Sequence, residues 1–381
     1  MRRYPGKRRR SEARWLPCFA AGPFGINPFR GCGSVGELFE RLSSFENVYS
    51  AYRKARKAKS FKGYVLEFER DLESNLVSLQ RELAEGSYVH GGYWEKIVRD
   101  SKPRKIRVAN FRDRVVHHAI CNVIDELFES GFSFDSFACR KGKGTHKAVK
   151  RLAGFLKGRK PAYCLQCDVS KFFASIDHEI LFGLLCRKIW DERVRGLARM
   201  VIDSSFDNEV FDGELERLRR TGVPLGNVTS QFFANVYLNE LDKFIKHTVG
   251  GGGEYFVRYM DDFLILSDDK KQLRELKAGV KAFLWRELRL ELHPRKANVF
   301  PCSKGIDFLG YVAFPRYRRL RKSTVKRFVA RAKMYRASVR AGANPNAFRK
   351  AVVSWEAYAE FANSRKLRES LKERGVLDEQ A

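Results

Sequence analysis

The chain contains no apolar stretch of the roughly 18 residues that a membrane-spanning helix needs, and no apolar signal core follows the basic start Met1 to Arg10. Both absences point to a cytoplasmic protein with no membrane partner. Cysteine is sparse: eight residues stand singly or inside apolar segments, and Cys164-Leu165-Gln166-Cys167 has no second Cys or His pair at zinc-finger spacing. They read as reduced core residues rather than zinc ligands or disulfides. Acidic residues are also short, with 45 Asp+Glu against 74 Lys+Arg and a formal net charge of +29, so a phosphate backbone is the expected partner. What the chain does have is aromatic and aliphatic bulk. Its 30 Phe and 14 Tyr exclude a disordered protein, and 381 residues at 44% hydrophobic content can bury a large core spread over more than one subdomain.

The most informative stretch is Tyr259-Met260-Asp261-Asp262, flanked by Tyr255-Phe256-Val257-Arg258 and Phe263-Leu264-Ile265-Leu266. Two adjacent carboxylates among strand-forming residues are costly to bury unless a cation neutralises them, which points to a divalent metal site. Successive side chains of a strand point to opposite faces, so Asp261 and Asp262 are expected at a hairpin tip. Phosphoryl transfer with two ions, about 4 Å apart, needs a further carboxylate from elsewhere in the chain. Asp168 is that candidate. It ends the apolar segment Ala162 to Cys167 and opens a segment to Asp177 that reads as strand, turn and helix.

Helical spacing recurs elsewhere. Val116, Ile120, Val123 and Leu127 place His117 and His118 on a helix, where they are expected to pack or to contact nucleic acid rather than to ligate a metal. Phe233, Tyr237, Leu241 and Phe244 mark a second helix starting near Asn227 to Ser230, and Gly250 to Gly253 is expected to form a flexible turn after it. Between Arg316 and Arg340 lie eleven basic residues and no acid, with Phe328, Ala332, Tyr335 and Val339 on one helical face. Asn344-Pro345-Asn346 breaks two helices, and Val352 to Leu371 carries Trp355, Tyr358 and Phe361 as a helical packing face. Residues 1–35 are Arg-, Gly- and Pro-rich without periodicity.

In order along the chain, Phe45 to Lys57, Arg107 to Ile120, Asp168 to Asp177, Gly222 to Gln231, Tyr259 to Asp262, Leu290 to Lys296 and Asp307 to Tyr311 resemble the successive motifs of reverse transcriptases. Most members of that family carry Gln before the Gly of the nucleotide-pocket loop and end the motif Ser-Pro. Here the loop has Leu225-Gly226 and ends Ser230-Gln231, and with Phe111 to His118 this is similar to the reverse transcriptases of diversity-generating retroelements. That resemblance implies a bacterial, archaeal or phage-encoded RNA-directed DNA polymerase that makes errors at template adenines, together with a small basic accessory variability protein. Group II intron-like and phage-defence reverse transcriptases are the enzymatic alternatives, the former ranked lower because no maturase or endonuclease motif is read after the basic helix. A catalytically inactive RNA-binding scaffold is the alternative of another class.

The resemblance implies an α+β right-hand polymerase with an antiparallel palm sheet and a helical thumb. Its expected divisions are a basic extension over 1–35, fingers and palm over 36–315, and a basic thumb over 316–381. The implied partners are template RNA, a primer or cDNA strand and dNTPs. Two Mg²⁺ ions are expected on Asp168, Val169, Asp261 and Asp262. Nucleotide contacts are implied for Lys171, Phe172, Leu225, Gly226 and Lys296, and for one or more of Lys105, Arg107, Arg112 and Arg114. Phe173 matches the ring that excludes a 2′-hydroxyl, while Leu225 and Gln231 are the implied determinants of fidelity. Primer and template contacts are implied for Tyr259, Met260, Phe308, Leu309, Gly310, Tyr311, Arg327 and Arg331. Losing the amide of Gln at position 225 leaves discrimination to apolar shape, which supplies only about 1–3 kcal/mol.

Overall fold

The computed structural model of the chain describes residues 36–99, 103–158, 160–204, 220–248 and 255–378. The basic extension 1–35 and the turn expected over Gly250 to Gly253 lie outside the described residues. Helices α1 (Glu37–Ser43), α2 (Phe45–Arg56), α3 (Gly63–Arg70) and α4 (Leu72–Glu85) come first. The Ser44 hydroxyl caps α2 by accepting from the Asn47 amide, and α4 stops at Gly86, whose φ of 72° suits glycine. An antiparallel hairpin follows, β1 (Tyr93–Arg99) with β2 (Pro103–Ala109), pairing Tyr93 with Ala109. The expected histidine-bearing helix is α5 (Phe111–Glu129), which buries Val116, Ile120 and Val123 against the preceding helices.

Next come α6 (Thr145–Gly158), β3 (Tyr163–Asp168), α7 (Phe172–Ser175), α8 (His178–Cys186) and α9 (Glu192–Asp203). The helix expected from Phe233 onward is α10 (Val228–Thr248), and it precedes β4 (Phe256–Tyr259), β5 (Asp262–Ser267), α11 (Lys270–Leu288) and β6 (Asn298–Pro301). Strands β4-β5-β3-β6 form one antiparallel sheet in that order. Both of its faces are covered, which is why β5 reads as an unbroken apolar run. Phe263 and Ile265 join the core built on α5, α10 and α11, whereas Leu264 and Leu266 join a second core with α6 and the C-terminal helices. Each such buried side chain contributes about 1.5–3 kcal/mol, so a charge at Ile265 would break the layer that carries the acidic residues.

A second antiparallel sheet holds β7 (Ile306–Phe308), β8 (Tyr311–Ala313) and β9 (Arg318–Leu320), followed by α12 (Lys322–Arg340), α13 (Asn346–Glu360) and α14 (Arg365–Glu373). Because β9 pairs with β8, this sheet spans the division expected after residue 315, and the helical segment begins at Lys322. The class is the expected α+β with antiparallel sheets.

Two expectations need correction. The packing face from Val352 to Leu371 is not one helix: Asn363 exchanges hydrogen bonds with Arg318 of β9 through its amide (2.9 Å) and its side chain (2.8 Å), drawing the chain out of helix between α13 and α14. Nor are all described cysteines in the core. Cys121, Cys164, Cys167 and Cys302 are buried, but Cys139, at φ 51°, is exposed and Cys186 is half-buried.

Candidate active site

The β4–β5 hairpin turns in two residues, with Tyr259 opposite Asp262 and Met260 in the left-handed region at φ 58°. Asp261 sits in the turn and Asp262 opens β5. On the other side of β5, Asp168 is the direct cross-strand partner of Asp262. Opposed residues in an antiparallel pair project from the same face, so strand register alone brings these two carboxylates together. Beyond Asp168 the chain is held by the segment after α11. Val169 bridges Leu292, the Ser170 amide donates to Glu291 O at 2.8 Å, and the His293 amide donates to Asp168 O at 2.8 Å. That pairing delivers Lys296, whose Nζ donates to Asp168 Oδ2 at 2.7 Å.

The electrostatics follow from three acids at one strand end. Burial pushes the Asp262 carboxyl up to about 7; the Gln166 side chain opposes the shift, the Asp168 and Asp261 charges add to it, and Lys296 offsets part. Among the described residues no three His, Cys, Asp or Glu side chains form a ready cation cage. Mg²⁺ rarely uses one: it takes one or two carboxylates and completes its shell with water and substrate phosphates. Hard oxygen donors paired across β3 and β5, one of them holding its proton unusually high, fit such an ion.

Other predicted residues fall around this centre to differing degrees. Lys171, at φ 43°, precedes α7, and the segment from Gly222 runs beside that helix: the Val223 amide donates to Phe173 O and the Gly222 amide to Ile176 O, both at 2.8 Å. Farther along, Gly226 adopts φ 110°, and a Cβ there would lie 3.2 Å from Ile106 Cγ2 of β2. Half-buried Leu225 thus sits between α9 and α10, in a segment that passes α7 at Gly222 and Val223 and approaches β2 at Gly226, and Gln231 lies in the first turn of α10.

Of the four basic candidates, Lys105 lies in β2, its side chain outside the described residues, and Arg107 pairs with Glu95 across the hairpin at 4.0 Å. Arg112 is engaged by Glu82 and lies over the Tyr88 ring, and Arg114 donates to Ala109 O at 2.8 Å and to Tyr64 Oη at 3.2 Å. The structure therefore holds Arg112 and Arg114 against the helical layer. His117 packs: its ring stacks on His90 with centroids 5.2 Å apart, and burial pushes its imidazole down to about 3.

Phe308 to Tyr311 form the β7–β8 turn, with Leu309 at φ 53° and Gly310 at φ 89°. Tyr311 Oη donates to Tyr358 O at 2.9 Å and meets His146 Nε2 at 3.0 Å, while Tyr259 Oη accepts from Thr145 Oγ1 at 3.2 Å. Arg327 and Arg331 are exposed on α12, flanking the buried stripe of Phe328 and Ala332.

Sequence reasoning missed Gln166. Its amide donates to Asp307 O at 3.0 Å and to Asp262 Oδ1 at 3.4 Å, joining the two sheets at the acidic cluster. Its position two residues before Asp168 on the same strand puts it on the same face, and a polar residue there in an apolar strand was the available signal.

Residues 97–313 match the family described as "Reverse transcriptase (RNA-dependent DNA polymerase)". Among curated proteins, the chain is 25% identical over 248 residues to Protein YkfC of Escherichia coli (strain K12), covering 56% of this chain and 63% of that protein. It is 23% identical over 366 residues to the group II intron-encoded protein LtrA of Lactococcus lactis subsp. cremoris, covering 77% and 59% respectively. The chain thus spans about three fifths of the length of these relatives. Among solved structures, apo telomerase from Candida tropicalis truncated from its C-terminal domain is similar at a TM-score of 0.46 and 13% identity, covering 65% of this chain and 60% of that one.

Proposed function

The chain belongs to the reverse transcriptase family, and from that membership we propose that it is an RNA-directed DNA polymerase, a nucleotidyltransferase that copies an RNA template into cDNA from dNTPs. The observation that carries the reading is the register that sets Asp168 opposite Asp262 beside the turn holding Asp261. Asp168, Val169, Asp261 and Asp262 would hold two Mg²⁺ ions. Bound there, the ions supply activation of the primer hydroxyl and neutralisation of the triphosphate. The chain's own residues do the rest. Amides at Lys171 and Phe172, at the start of a helix, cradle phosphate oxygens, and Arg107 and Lys105 of the hairpin supply cationic side chains. Phe173 lies beneath the sugar and excludes a 2′-hydroxyl. Lys296 steadies Asp168 before nucleotide enters and then gives its proton to the leaving pyrophosphate. Tyr259, Met260 and the turn from Phe308 to Tyr311 support the primer terminus, and Arg327 and Arg331 hold template phosphates. In this reading 36–315 are fingers and palm and 316–381 the thumb.

The finer reading is error-prone synthesis at template adenines for diversity-generating mutagenic retrohoming, with a small basic accessory protein as partner. Its support is the pair of departures Leu225-Gly226 and Ser230-Gln231 in the nucleotide-pocket loop. A second reading, a group II intron-like reverse transcriptase, is supported by the similarity to LtrA over 77% of this chain. Sequencing of cDNA made by the purified protein on a defined RNA, with dNTPs and Mg²⁺, separates them. Errors concentrated at template adenines support the mutagenic reading, faithful product supports the intron-like one, and absence of product both with and without a small basic accessory protein refutes the polymerase.

A further inference from the structure

Among the described residues Arg258 is the largest side chain that is fully buried, and it lies in β4 two residues before Met260 of the hairpin turn. Its guanidinium forms a fork on Asp242 of α10, Nε to Oδ1 at 2.6 Å and Nη2 to Oδ2 at 2.7 Å, with both side chains 0% exposed. The remaining nitrogen, Nη1, donates to Met260 O at 3.0 Å and reaches Asn235 Oδ1 of the same helix at 3.4 Å. Asn235 is fixed in turn, donating to Ala138 O at 2.9 Å. The main chain of Arg258 is held as well, its amide donating to Asp135 O and its carbonyl accepting from the Phe137 amide, both at 2.9 Å.

Met260 is the left-handed residue of the turn, a conformation that costs an ordinary side chain about 1–2 kcal/mol and persists only where the surroundings enforce it. A buried ion pair is seldom a source of stability in itself, since apolar replacement of both partners is often neutral. The geometry points to a different use. We propose that Arg258 is a positioning residue for the active site: by tying the Met260 carbonyl to α10 it holds the turn that presents Asp261 and Asp262, and it couples that turn to the helix that begins at the nucleotide-pocket loop. The inference rests on the polymerase reading for its consequence in synthesis, but not for its effect on cation binding.

Two variants separate positioning from packing. Asp242→Asn keeps the donor to Met260 and leaves Arg258 uncompensated, so the melting temperature should fall while Mn²⁺ affinity, followed by the resonance of free Mn²⁺, changes less than about twofold. Arg258→Met with Asp242→Leu replaces the pair by apolar bulk and removes the donor. Its melting temperature should return toward wild type, yet Mn²⁺ affinity should weaken about tenfold, the scale of one charge-assisted hydrogen bond, and the Mg²⁺ needed for half-maximal primer extension should rise in parallel. Mn²⁺ affinity that simply follows melting temperature across the two variants would overturn the proposal. If the double variant does not fold, Arg258→Lys serves, since one ammonium on Asp242 leaves Met260 O unmatched; unchanged Mn²⁺ affinity there overturns it equally. A wild-type protein that extends no primer refutes the polymerase reading, while the Mn²⁺ arm still decides the role of Arg258.

Discussion

Asp262 should make the metal-free protein less stable as the pH rises from acid to neutral. The unfolded chain releases this proton near 3.8, whereas the folded chain keeps it to about 7. Between those values the folded state binds more protons, so stability falls with rising pH and levels off above about 7. At about 1.36 kcal/mol per pK unit, the part of that loss falling between pH 5 and pH 8 amounts to roughly 2–3 kcal/mol. Asp262→Asn removes the titration while keeping the side-chain shape. Urea unfolding in EDTA at pH 5 and pH 8 measures the effect: the variant should be the more stable protein at pH 8 by a margin about 2–3 kcal/mol larger than at pH 5. Mg²⁺ competes with the proton and should recover part of the difference in the wild type alone. Equal pH slopes for wild type and variant would refute the assignment of a buried, proton-retaining carboxyl at the tip of β5.

Other consequences are equally direct. Leu225→Gln should lower the error rate opposite template adenines in sequenced cDNA, and an unchanged spectrum would remove the fidelity argument. Phe173→Ala should admit ribonucleotides, read as alkali-labile product, with little change in dNTP use. Arg327→Glu with Arg331→Glu should weaken RNA binding on every sequence alike and flatten the salt dependence of log affinity by about two phosphate contacts, whereas a sequence-selective loss would argue against backbone binding by α12.

Much of the site was legible because it rests on local rules. Adjacent aspartates in an apolar run forced a turn, and the two-residue loop at Met260-Asp261 is that turn. The stripes on α5, α10 and α12 followed from 3.6-residue spacing. What stayed hidden depends on register and on partners far along the chain. Arg258 read as one more flank of the apolar run, since only the fold sets Asp242 beside it. Lys296 meets Asp168 through strand pairing across 128 positions. The partners of Arg112 and Arg114 were hidden in the same way, because Glu82 and Tyr64 lie on earlier helices. The break after α13 was likewise invisible, since Asn363 leaves the helix to pair with β9.

The central claim is tested most directly by RNA-templated primer extension with dNTPs and Mg²⁺, comparing wild type with Asp261→Ala/Asp262→Ala, alongside RNA binding by both. Extension by the wild type, loss of extension in the variant and RNA binding largely intact in both are the predicted results. Extension that survives the loss of both carboxylates would contradict the site.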